Sequence, residues 1–345
     1  TPPFELTEAD GRWYGRGAAD CKGNILAHLL ALRALGNEVP VNLKLVVEGS
    51  EEQGTGGLEA YVAAHPDLLR ADTILVCDTG NAAVGQPAAT VTLRGMVNVV
   101  VTVEAMASEL HSGMFGGAAP DALAALISML ASLRDQRGNT TIAGLDNTQT
   151  WTGAPYPPQQ FRTDAGLLEG VMLLGDGTVS DMLWARPAVT VLGIDCPPVT
   201  GSSASIVPRT SARLNLRVPP GMAPADAHTA LTDQLKAAAP WGVHVTVDLE
   251  AIGSPFEAAV GGPAFDAMSA AMLEAYGRPM TTLGQGGSIP LCNVFADTYP
   301  DAEIILLGVE EPLALIHAPN ESVDPSEIQA MALSLALFLQ RYGAA

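Results

Sequence analysis

The sequence predicts an α/β fold: a mostly parallel sheet covered by helices and interrupted by an inserted α+β domain of ferredoxin-like type. Three observations lead there. In residues 1–88 strand-like text alternates with helical text, and acidic residues follow the strand ends, where open α/β sheets place their chemistry. Across residues 89–256 the order becomes strand, helix, strand, strand, helix, strand, without an acid cluster. From Gly262 onward helix and strand text resumes. The expected division is therefore 1–88 and 257–345 for the two parts of one domain, and 89–256 for the insertion. A chain of 345 residues is long enough for two cores.

Composition narrows the function. The chain is 48% hydrophobic and 16% charged, as a globular protein is. Its net charge is -20, and Lys occurs only at Lys22, Lys44 and Lys236. No basic patch is available to neutralise phosphates, so nucleic acid is not an expected partner. Anionic membrane surfaces match poorly too, and no apolar run reaches the ~18 residues of a membrane span. An excess of acid suits a protein that holds divalent cations. The cysteines (Cys21, Cys77, Cys196 and Cys292) form no C-x-x-C pair, so reduced thiols in a cytoplasmic protein are expected. No signal peptide is recognisable, and the chain opens on Thr1-Pro2-Pro3-Phe4 without Met.

In chain order, Asp20 precedes a helix with Ile25, Leu26, Leu29, Leu30 and Leu32 on a broad apolar face. Taken alone, it reads as an N-cap. Val41, Leu43, Leu45 and Val47 alternate with Asn42 and Lys44 as a strand does, and a small-residue loop with Glu51 and Glu52 follows. A second strand, Thr73 to Cys77, runs into Asp78. In the insertion, Val97, Val99, Val101 and Val103 read as strand and a Gly-rich loop carries His111. Ser205 to Val218 alternates again, with Arg217 near its end. Helices are expected at 121–133 and 224–239, and a strand at 243–249. Beyond the insertion come a helix at 265–276, the donor-rich loop around Ser288, a strand at 303–309 and a loop with His317. A last helix is opened by Asp324 at the N-cap, Pro325 and Glu327.

Asp20, Glu51, Glu52, Asp78 and His317 are all expected at strand ends of one sheet. Converged, they make a cage of oxygen and nitrogen donors without thiolate, suited to zinc, manganese or cobalt. Two such ions about 3.5–4 Å apart need a bridging carboxylate and an activated water between them. Adjacent glutamates divide the work: one ligates while the other moves protons to the leaving amine.

The chain resembles the metallo-aminoacylase and carboxypeptidase G family, and most of all its carnosinase and cytosolic non-specific dipeptidase branch. The matching text is Tyr14-Gly15-Arg16-Gly17-Ala18-Ala19-Asp20-Cys21-Lys22-Gly23, Glu48-Gly49-Ser50-Glu51-Glu52, Leu110-His111-Ser112-Gly113-Met114-Phe115-Gly116-Gly117, Gly286-Gly287-Ser288-Ile289-Pro290 and the late His317. The resemblance implies hydrolysis of dipeptides or short peptides with a free carboxylate, and two divalent metal ions, zinc first. It implies Asp20 bridging both ions with a cis peptide after it, Glu52 and His317 on one ion and Asp78 on the other. Glu51 becomes general base and then acid. His111 reaches across a homodimer formed through the lid to stabilise the oxyanion, while Arg217, Ser288 and Ser205 bind the substrate. Two departures stand out. No His-x-Asp precedes Asp20, which leads to the expectation of a further N-terminal segment, and Gly284-Gln285 stands where the branch has Arg followed by an acid. The alternatives are an N-acyl-amino-acid amidohydrolase and a catalytically silent fragment.

Overall fold

The structure is a computed structural model that describes residues 1–53 and 56–344, with the side chain of Glu52 outside the described residues. The chain starts with β1 (Thr7–Ala9) and β2 (Arg12–Tyr14), then α1 (Lys22–Leu35). A 3-10 turn (Glu51–Gln53) precedes α2 (Gly57–Ala64), α3 (Pro66–Leu69), β3 (Thr73–Val76) and β4 (Ala88–Leu93). The insertion runs through β5 (Gly95–Glu104), β6 (Leu110–His111), α4 (Ser112–Phe115), α5 (Ala122–Ala131) and α6 (Pro158–Asp164). It continues through β7 (Ala188–Ile194), β8 (Ser205–Ile206), β9 (Arg209–Val218), α7 (Pro224–Ala237) and β10 (His244–Gly253). The chain returns through β11 (Phe256–Glu257), α8 (Pro263–Tyr276), β12 (Thr281–Gln285), α9 (Pro290–Thr298), β13 (Glu303–Leu306), β14 (Ser322–Val323) and α10 (Pro325–Tyr342).

The larger sheet has the order β11-β4-β13-β3, with β12 also on β4. It is mixed: β12 on β4 and β13 on β3 are parallel, whereas β11 and β13 meet β4 antiparallel. Side chains alternate across it with the period of two that a strand imposes. Ile305 and Leu307 face a core with α1, α8 and α10, while Ile304 and Leu306 face α2 and α9.

The insertion builds the sheet β10-β5-β9-β7, antiparallel throughout. Its main strands and helices follow the order β5-α5-β7-β9-α7-β10, the ferredoxin-like pattern. Val97, Val99, Val101 and Val103 are fully buried with Leu214 and Leu216 beneath α5 and α7. Each such side chain contributes roughly 1.5–3 kcal/mol on burial.

Three local expectations change. Residues 41–47 form no strand: Leu43, Leu45, Val46 and Val47 are exposed, and none of the described strands pairs with them. Alternation describes a strand only when a neighbour supplies the ladder of hydrogen bonds. The buried stripe of α1 is Ala27, Ala31 and Leu35, at helical spacing, while Ile25 and Leu29 are exposed. The small alanines admit α10 at close range, so the larger residues turn outward. Asp20 is not the cap of α1 either: the N-cap is Cys21, without a side-chain capping bond.

Candidate active site

The site gathers at the ends of β3 and β13, where two glycines permit close approach. A Cβ on Gly80 would lie 2.1 Å from the Glu310 carbonyl oxygen, and one on Gly308 would lie 1.9 Å from that of Thr79. No other residue type fits there, so the loops after the two strands meet directly, and Gly80 bridges Glu310. Asn24 of α1 ties in a third element by accepting from the Val309 N–H at 3.0 Å.

Asp20 is carried by the turn before α1, held by a buried carboxylate from far along the chain. Glu321 accepts from the N–H groups of Gly17 (2.8 Å), Ala19 (3.0 Å) and Asp20 (3.0 Å), and from the Arg16 guanidinium at 2.6 Å. The Asp20–Cys21 peptide is cis. The Asp20 carboxylate lies 3.0 Å from Nε2 of His317. His317 has a φ of 61°, a left-handed conformation that a branched or bulky residue adopts only when its surroundings hold it. Arg16, donating to the Ala318 carbonyl at 2.9 Å, supplies part of that hold.

Asp20, Glu51, Asp78, Ser288, Glu310 and His317 line one cavity of about 130 Å³ with Gln285, Gly287, Ile289 and Ile316. A second cavity of about 360 Å³ shares Gln285, Glu310 and Ile316 with it. Thus four carboxylates and one imidazole converge, and among the described residues no Lys or Arg lines either cavity. Like charges in so small a space are stable only with a counter-cation or bound protons. Hard oxygen donors beside an imidazole fit a divalent ion of the zinc or manganese type. Oxygens of Asp20 and Asp78 and the sulfur of Cys21 lie within 4.8 Å of one another. Burial, followed by the Asp78 charge, pushes the Cys21 thiol up to about 12. It therefore stays protonated and donates to the Cys77 carbonyl at 3.2 Å.

Sequence reading anticipated Asp20, Glu51, Asp78, Ser288 and His317 in this cavity. Glu52 lies outside the residues whose side chains are described. His111 and Ser205 are directly opposite each other across the short β6–β8 ladder, but neither lines the cavity. Arg217 is half-buried on β9 facing Met96 and Ala188. Burial lowers the affinity of its guanidinium for its proton. Sequence reading missed Glu310 and Glu321, and noted Gln285 only as a departure from the family's loop text. The Glu310-Glu311 pair after a buried strand repeats the pattern of Glu51-Glu52, a signal that was available; Glu321, deep in a loop, left none.

An α/β core that gathers acids and an imidazole in one cavity, beside a ferredoxin-like sheet, is an arrangement suited to a metal-dependent hydrolase. The chain belongs to peptidase family M20/M25/M40, whose profile matches residues 1–341. It is 46% identical to the cysteinylglycine-S-conjugate dipeptidase of Corynebacterium striatum over 347 residues, 99% of this chain and 76% of the relative. It is 28% identical to the Beta-Ala-His dipeptidase of Rattus norvegicus, covering 99% of this chain and 73% of that one. The crystal structure of human carnosine dipeptidase 1 superposes with a TM-score of 0.80 at 26% identity, over 99% of this chain and 75% of that one. The resemblance to the dipeptidase branch is thereby borne out, and the relatives do not favour an N-acyl-amino-acid amidohydrolase.

Proposed function

We propose that this chain is a dinuclear metallodipeptidase acting on dipeptides with a free carboxylate, of the kind that its Corynebacterium striatum relative is named for. The observation that carries the reading is the convergence of Asp20, Glu51, Asp78 and His317 on one cavity that no Lys or Arg among the described residues lines. In this reading Asp20, Glu52, Asp78 and His317 would hold the two ions. Zinc suits these donors first, manganese and cobalt next. Such ions, when bound, polarise the scissile carbonyl and acidify water.

The chain's own groups do the rest. Glu51 lines the cavity yet is itself exposed at the start of its 3-10 turn, so its carboxylate can take a proton from the attacking water and return it to the leaving amine. Ser288, at the mouth of α9, offers a hydroxyl to the substrate. Arg217 pairs with the substrate carboxylate, the task of a planar fork of donors. His111 and Ser205 face each other outside the cavity of their own chain. They serve the site of a second copy, in a homodimer formed through the insertion, with His111 placed to stabilise the oxyanion. Free cysteines throughout agree with a reducing, cytoplasmic setting.

The test is hydrolysis of Cys-Gly and β-Ala-His by chelator-treated protein to which zinc or manganese is returned. Release of free amino acids only with metal supports the proposal. Cleavage of N-acetyl amino acids in preference to both dipeptides refutes it.

A further inference from the structure

Arg94 occupies the single residue between β4 of the larger sheet and β5 of the insertion. It is 8% exposed. Its Nε and Nη1 are both buried and meet no acceptor, and among the described residues no ion pair reaches it. Its backbone N–H donates to the Gln285 carbonyl at 3.2 Å, which fixes it against the Gly-rich loop. A Cβ built on Gly286 would lie 2.9 Å from Nη2, so the guanidinium lies against that glycine and a side chain there would make it shift. On either side of Gly286, Gln285 and Gly287 line the acidic cavity. Gln285 Oε1 is likewise buried without a partner.

A second guanidinium is close by. Arg217 faces Met96, two residues beyond Arg94, on the adjoining strand. Burial first, and then the Arg217 charge, lower Arg94 to about 10. Two like charges thus sit together, one buried with its donors unmet, which is unfavourable unless an anion completes the set. Nothing in the fold completes that set at Nε and Nη1 of Arg94, which have no hydrogen-bond partner among the described residues. The anion that belongs beside a peptide-cleaving site, across one Gly-rich loop from its acids, is the free carboxylate of the peptide.

We propose that Arg94 is a second guanidinium for the substrate carboxylate, acting with Arg217 across Gly286. This rests on the dipeptidase reading. Arg94 is a specificity residue here: it rewards the terminal carboxylate and takes no part in proton transfer.

The experiment compares wild-type, Arg94→Met and Arg94→Lys, all metal-loaded, on Cys-Gly and on its C-terminal amide. The expected result for Arg94→Met is a KM for Cys-Gly raised by about tenfold or more, with kcat within about threefold and the KM for the amide unchanged. Arg94→Lys restores part of the loss, since charge returns without the fork. The melting temperature of ligand-free Arg94→Met equals or exceeds that of wild-type, because a lone buried charge is gone. Unchanged discrimination between peptide and amide overturns the proposal. So does a melting temperature that falls in Arg94→Met and recovers in Arg94→Lys, which would make Arg94 a structural residue of the junction. Equal stabilisation of wild-type by acetate and by Cys-Gly would assign the site to any free anion and overturn it as well. If wild-type cleaves no dipeptide, the dipeptidase reading fails by itself. A thermal shift that Cys-Gly produces, its amide does not, and Arg94→Met abolishes would still establish the carboxylate site.

Discussion

Replacing Glu321 by Gln should loosen Asp20 without touching the cavity. The Glu321 side chain is 1% exposed and accepts from three backbone N–H groups and Arg16. In the Gln variant Oε1 can still accept from Ala19 and Asp20. The new amide NH2 faces the Gly17 N–H and the Arg16 guanidinium, donor against donor. The Arg16 pair adds little, because Arg16 is 41% exposed and solvent screens it. The Gly17 bond is buried and charge-assisted, and its loss with an unmet donor left behind costs about 2–4 kcal/mol. Thermal melting should therefore fall by roughly 4–16 °C, taking ~2–4 °C per kcal/mol for a chain above 150 residues. Because the Asp20 N–H is part of the same clamp, affinity for zinc should fall by roughly 10–100-fold, as it does when partners of metal ligands are lost. Calorimetric melting and competition of zinc against a chromogenic chelator measure the two effects. Arg16→Ala is the control and should cost less than about 1 kcal/mol. A Glu321→Gln protein that melts within about 2 °C of wild-type and holds zinc equally well would refute the clamp.

Further expectations concern other groups. Glu51→Gln should lower turnover by roughly 10²–10⁴-fold while leaving bound metal, measured by elemental analysis, unchanged; loss of metal would make Glu51 a ligand instead. Asp78→Ala should release metal and abolish turnover together, and a variant that keeps its metal content would remove Asp78 from the ligand set. Glu327 offers a pH test. Burial raises its carboxyl above the ordinary 4.5, against hydrogen bonds from the Gly85 N–H, Asn81 and Tyr276 that pull it down. The folded state thus binds this proton more tightly than the unfolded chain. Its contribution is complete below about 4.5 and is lost as pH rises through the folded pKa. The stability of Glu327→Gln relative to wild-type should therefore climb from about pH 4 upward and then level, as read by urea melts; parallel pH profiles would contradict it.

The Glu327 position also illustrates how far sequence reaches. Asp324, Pro325 and Glu327 announced a helix start, and α10 begins there with Asp324 accepting from the Ser326 N–H at 2.9 Å. Yet Glu327 itself turns into a buried network with Asn81 and Tyr276. The capping pattern was local and legible; the network depends on residues 246 and 51 positions away. Likewise Pro208 divides the alternating run 205–218 into β8 and β9, since a proline lacks the N–H that the ladder needs. The valines of β5 face inward as their spacing requires. The run 41–47 has equally good alternation and forms no strand, because pairing is not a property of the paired segment alone.

What the sequence by itself determined is the strand-and-helix order of the insertion, the start of α10 and the acidic side chains offered to the site. These follow from periods of two and 3.6 residues and from loop chemistry, all written within a dozen or so neighbours. Only the tertiary structure decided that Glu310 joins the cavity, that Glu321 grips the turn of Asp20, and that Arg94 is buried without a counter-charge among the described residues. Each of these depends on which distant backbone groups arrive beside a side chain, and no local period records that arrival.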